Sequence, residues 1–204
     1  MKAKKIIAIV ITSLLILSLF GCSQNSAQGA VSELFKALRS YDVKALEIVL
    51  TEFPNTKDCG VTYDLYSDDA YINLYKEAYQ NLSFTIDKID ENESGATVTL
   101  TMSHPDLKTA YSTALYSSTV LLFSDQNLYE QVMKDPDLDI SYLVPQQMKT
   151  MYLNNNIKTI KSTFVLTLIK QDYGWKIQTD EQLKNLMSCN LYTITSTISN
   201  GLDK

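Results

Sequence analysis

The chain has 204 residues, 45% of them hydrophobic and 20% charged, with a formal net charge of -5. That length suits one domain with one core. An acidic balance with a single arginine, Arg39, excludes nucleic acid as a partner, because phosphate backbones call for clustered basic residues.

The first stretch sets location. Lys2, Lys4 and Lys5 precede an apolar run from Ile6 to Phe20, which is shorter than the roughly 20 apolar residues of a spanning helix and has the layout of an export signal. Leu19-Phe20-Gly21-Cys22 resembles the lipobox of bacterial lipoproteins. That resemblance implies removal of residues 1–21 and acylation of the Cys22 thiol. Two or more acyl chains then hold the protein on the membrane, each buried methylene contributing about 0.8 kcal/mol. Losing the three lysines moves the remaining chain from -5 to -8, so the domain itself is repelled by anionic lipid. Residues 22–29 read as the lipidated cysteine and a small polar tether, reaching about 25 Å when extended. Residues 30–204 read as one folded domain.

In that domain Val31, Leu34, Phe35 and Leu38 fall at helical spacing, and Asp42 is placed to cap a second helix through Val43, Leu46 and Val49. Ser67-Asp68-Asp69 predicts the start of a third helix. Tyr71, Tyr75 and Tyr79 then recur every four residues, a stripe that packs as a core face or lines a ligand cleft. Leu82 to Ile86 and Ala96 to Met102 alternate with period two and predict an antiparallel hairpin. Its inner face is Ala96, Val98, Leu100 and Met102; Thr97, Thr99 and Thr101 face outward.

Pro105 ends that strand and opens a helical stretch, residues 105–156, with Ser103 or His104 just ahead of the first turn. Leu107, Tyr111, Ala114 or Leu115, Leu121 or Leu122, and Leu128 or Tyr129 keep the helical period, with a bend allowed between Ser117 and Phe123. A shorter helix is predicted from Pro145 to Tyr152. Ile160 to Leu168 and Trp175-Lys176-Ile177 form a second hairpin around Gly174, with Trp175 plugging the core. Thr179 and Gln182 predict a capping box for a last helix; beyond it Leu191, Ile194 and Ile198 fit its continuation to Gly201, while Tyr192, Ile194 and Ile198 also fit a strand.

This order is an α+β plan: an antiparallel curved sheet wrapped around N-terminal helices, with a largely helical insertion between the two hairpins. It resembles the cystatin-like, nuclear transport factor 2-like cone of small lipoproteins from Gram-positive bacteria. The residues that carry the likeness are Phe35-Lys36-Ala37-Leu38, Tyr41-Asp42-Val43-Lys44-Ala45, Ala96-Thr97-Val98-Thr99-Leu100 and Gly174-Trp175-Lys176-Ile177. The likeness implies a binding or accessory module, although cones of this superfamily also serve as isomerases and dehydratases. The insertion departs from the plain cone and is placed to cap its mouth.

Candidate sites are few. His104 is the sole histidine and follows the inward phase of Met102, so it serves either as a strand-to-helix junction or as a proton-transfer group near the cone mouth. Asp135, Asp137 and Asp139 begin like an EF-hand loop, but Ile140 and Gln146 stand where glycine and glutamate are required. Cys59 and Cys189 remain once Cys22 is lipidated, and either bridge or stay as thiols. No cofactor is implied: the chain contains no phosphate loop, no nucleophile elbow and no zinc spacing. The favoured role is a membrane-anchored, non-catalytic module binding a small molecule, a peptide or an envelope protein. The alternatives are a lyase or isomerase using an Asp/Tyr pair with His104, and a structural partner of an envelope complex.

Overall fold

The computed structural model describes residues 26–54, 70–135 and 140–196; within these, the side chains of residues 70, 71 and 140–142 are not described. Helices α1 (Ala27–Ser40) and α2 (Val43–Val49) open the fold. Ser26 caps α1 by accepting from the Gly29 amide at 3.0 Å, and Asp42 caps α2 by accepting from Ala45 at 3.0 Å. Ala27 and Gly29, read from sequence as tether, are therefore buried first-turn residues. The expected cap of the third helix, Ser67 to Asp69, lies outside the described residues. That helix, α3, runs Ala70–Gln80.

Strands β1 (Ser83–Glu91), β2 (Gly95–Pro105), β3 (Thr159–Gln171) and β4 (Gly174–Ile177) form one antiparallel sheet in that order. The fold is α+β. The alternation expected for β2 is present: Val98, Leu100 and Met102 are fully buried, and the threonines between them face out. Phe164, Leu166 and Leu168 of β3 bury the same face, while Val165 and Ile169 stay on the solvent side. Phe35 of α1 stacks on Phe84 of β1 with ring centroids 4.0 Å apart, which fixes the first helix on the inner face. Asn92 Oδ1 accepts from the amides of Ser94 and Gly95, closing the first hairpin. Gly95 is required where it is, because a Cβ would sit 2.7 Å from the Leu168 carbonyl oxygen.

Among the described residues, three helices connect β2 to β3: α4 (Leu107–Ser124), α5 (Gln126–Lys134) and α6 (Ile140–Leu153). Several boundaries differ from the sequence reading, each for a local reason. Asp106 caps α4 through the Thr109 amide, so Pro105 closes the strand and lies outside the helix. The β-branched segment Ser117 to Phe123 stays helical, and the break comes at Asp125, whose carboxylate caps α5 through Leu128. Pro145 lies inside α6 and does not start it. Ala110, Ala114 and Ser118 form a buried stripe of small residues on α4, along which α6 packs with Val144 and Met148 buried.

After β4 comes helix α7 (Glu181–Met187), capped by Asp180 through Leu183. Thr179, the expected cap, is engaged elsewhere: its hydroxyl donates to Glu52 O at 2.6 Å and its amide to Thr51 Oγ1. Helix α7 does not continue through Leu191 as expected. Cys189 and Asn190 adopt φ of 51° and 67°, and a separate helical turn covers residues 192–196. Non-glycine residues in this left-handed region each cost about 1 kcal/mol or more, so the turn is held by what surrounds it. Trp175 is 4% exposed and plugs the second hairpin as expected.

Candidate functional site

His104 enters on the last inward position of β2 and is fully buried. Its Nδ1 lies 2.8 Å from the Pro105 carbonyl oxygen, so Nδ1 carries the proton and donates it there. Nε2 is thereby an acceptor, and the Ser162 hydroxyl, 2.9 Å away on β3, donates to it. Asn190 completes the set by donating from Nδ2 to Ser162 Oγ at 2.9 Å. Burial pulls the imidazole below its usual pKa, against smaller opposing effects of the Pro105 carbonyl and the Asp106 carboxylate. The ring is neutral, in one tautomer, with both nitrogens engaged. This is a pin that ties β2, β3 and the strained turn after α7 together; it leaves no nitrogen with which to take a proton from a substrate.

The tyrosine stripe has a comparable role. Tyr79 is fully buried and Tyr75 is 5% exposed. The Tyr79 hydroxyl donates to Met187 O at 2.7 Å and that of Tyr75 to Ser188 O at 3.4 Å. Tyr79 thereby satisfies a carbonyl at the C-terminal end of α7, and Tyr75 adds a second donor to Ser188 O, which already accepts from the Leu191 amide at 3.1 Å. Tyr71 belongs to the same helix, but its side chain is outside the described residues, as are Cys22, Cys59, Asp137 and Asp139 altogether. Asp135 is the exposed residue after α5. Cys189 is fully buried and burial pushes its thiol up to about 12, so it stays protonated and unreactive at neutral pH. No metal-holding group of His, Cys, Asp and Glu occurs among the described residues, and no helix among them is long and apolar enough to cross a membrane.

One open hollow of about 540 Å³ lies between α2 and the second hairpin, lined by Lys44, Ile48, Tyr173 and Lys176 among others. Lys176 is already committed there, its Nζ donating to the Glu47 and Leu50 carbonyl oxygens at 3.2 and 3.1 Å. That bond caps α2 and joins it to β4.

The larger feature is the arm formed by the end of α4 and by α5. Residues 109–124 contain no charge at all, and beyond Ser118 no residue of α4 or α5 is buried. Tyr116, Val120 and Phe123 form one helical stripe, exposed by 73%, 48% and 74%. Tyr129 and Met133 extend it on α5 at 42% and 68% exposure, and the Phe123 and Tyr129 rings lie 6.3 Å apart. Taking about 200 Å² for a large side chain, these five residues present roughly 600 Å² of apolar surface, the upper end of what a monomer normally shows. The sequence leaves Leu121 or Leu122 and Leu128 or Tyr129 as alternatives for the core face; the structure exposes Leu121 and Tyr129 and half-buries Leu122 and Leu128. The signal was in the composition: with no charged residue from 109 to 124, apolar side chains occupy more than one face of α4, of which the body of the fold covers one. No protein-family model matches the chain, and no curated protein or solved structure is significantly similar to it.

Proposed function

We propose that this chain is a lipid-anchored, extracytoplasmic docking module of the cystatin-like cone type. Cys22 holds it on the outer face of the cytoplasmic membrane, and it works by binding protein through the α4–α5 arm, without turning over a substrate. The exposed, uncharged stripe Tyr116, Val120, Phe123, Tyr129 and Met133 carries this reading, because that much apolar surface costs solubility unless something covers it. The saturated ring of His104 and the backbone-bonded hydroxyls of Tyr75 and Tyr79 argue against a lyase or isomerase built on them. The test is native electrophoresis of the full chain extracted from membranes in a mild detergent. A species larger than the monomer, lost in a Tyr116→Ser/Phe123→Ser variant and retained in Tyr173→Ser, supports docking through the arm. A species unaffected by the arm variant, or a monomer in all three, refutes it.

A further inference from the structure

Resting on that docking reading, we infer that the partner of the arm is a second copy of this chain, the two arms packing as an isologous pair. Charge is the first argument. The whole chain is acidic, and loss of its first three lysines makes it more so, so two copies approaching by most faces repel each other. The apolar stripe of the arm is the exception: residues 109–124 are uncharged, Glu130 and Lys134 of α5 pair at 3.8 Å, and the acids Asp125 and Asp135 stand at the two ends of α5. An apolar stripe is also complementary to itself under a two-fold axis, as an isologous contact demands.

Area is the second argument. Burying roughly 600 Å² from each copy removes about 1,200 Å² from water before any polar rim is counted, which reaches the range of specific protein interfaces. Other occupants fit less well. A bilayer would have to accept the exposed Asp125 at the turn between the helices and Asp135 at the end of α5, and α5 brings one lysine, already paired, where interfacial helices carry several. A different protein would be selected by complementary charge, and the stripe of Tyr116, Val120, Phe123, Tyr129 and Met133 carries none to steer it.

The experiment is photo-crosslinking of the full chain in intact membranes, with p-benzoylphenylalanine placed at Phe123, and at Tyr173 as the comparison site. A Phe123 adduct of twice the monomer mass, yielding only this chain's peptides on digestion, is the expected result. The same adduct should fall at least tenfold when Val120→Asp and Met133→Asp are added, and should be absent from the Tyr173 probe. Both added sites are exposed, and an unchanged urea midpoint of that variant shows that the loss is not unfolding. An adduct to a different protein overturns the second-copy inference and leaves docking through the arm standing. Adducts to lipid alone, or none, overturn both.

Discussion

Acidification is expected to destabilise this protein through His104. The imidazole is fully buried, donates from Nδ1 to the Pro105 carbonyl and accepts at Nε2 from Ser162, so the folded state holds it neutral below its ordinary pKa of 6.5. Unfolding exposes it, and below pH 6.5 the unfolded chain binds the proton that the folded chain refuses. Stability is therefore complete above pH 6.5 and is lost as pH falls, levelling only below the depressed folded value. The slope within that window is at most about 1.4 kcal/mol per pH unit. Between pH 7.5 and 5.5 the loss is bounded at about 1.4 kcal/mol, which is at most about 5 °C in Tm for a domain of this size. His104→Gln should cost about 2–3 kcal/mol at pH 7.5, because the Pro105 carbonyl and the Ser162 hydroxyl lose their partner, and should flatten this part of the pH profile. Urea unfolding of both proteins at pH 7.5, 6.5 and 5.5 measures it. A parent whose midpoint is flat or rises on acidification refutes the reasoning, as does a His104→Gln variant that keeps the full slope.

Two substitutions test the packing around the same region. Tyr79→Phe leaves the Met187 carbonyl without its 2.7 Å donor and should cost about 1–2 kcal/mol in urea unfolding; a variant as stable as the parent would mean that the hydroxyl does not cap α7. Gly95→Ala forces a Cβ to within 2.7 Å of the Leu168 oxygen and should cost about 1–3 kcal/mol by parting β2 from β3 at that end. Retention of the parent Tm would show that the hairpin can shift at no cost.

Local patterns carried much of the fold. Period two in Ala96 to Met102 places the inner face of β2 correctly because one register buries four apolar residues and the other buries threonines. Asp42 was legible as a cap because it stands immediately before an apolar helical period. What was not legible depends on contacts distant in sequence. Thr179 and Asp180 are both competent caps, and only the Glu52 carbonyl, 127 residues away in the chain, takes Thr179 out of that role. The end of α7 could not be read because the left-handed turn at Cys189 and Asn190 places Asn190 on Ser162, a pairing no helical period encodes. His104 was visible as the sole imidazole at an inward position, while its partners Ser162 and Asn190, from β3 and the turn, carried no motif of their own. The arm escaped because apolar periodicity reports which faces can be buried, and not which of them the monomer covers.

Native mass spectrometry of the full-length gene product, extracted from membranes, tests the central claim most directly, since it reads covalent state and stoichiometry together. The expected result is a chain beginning at Cys22, with diacylglycerol on that cysteine, present as two copies. A monomer that retains Met1 and carries no lipid would contradict both the anchor and the arm's proposed partner.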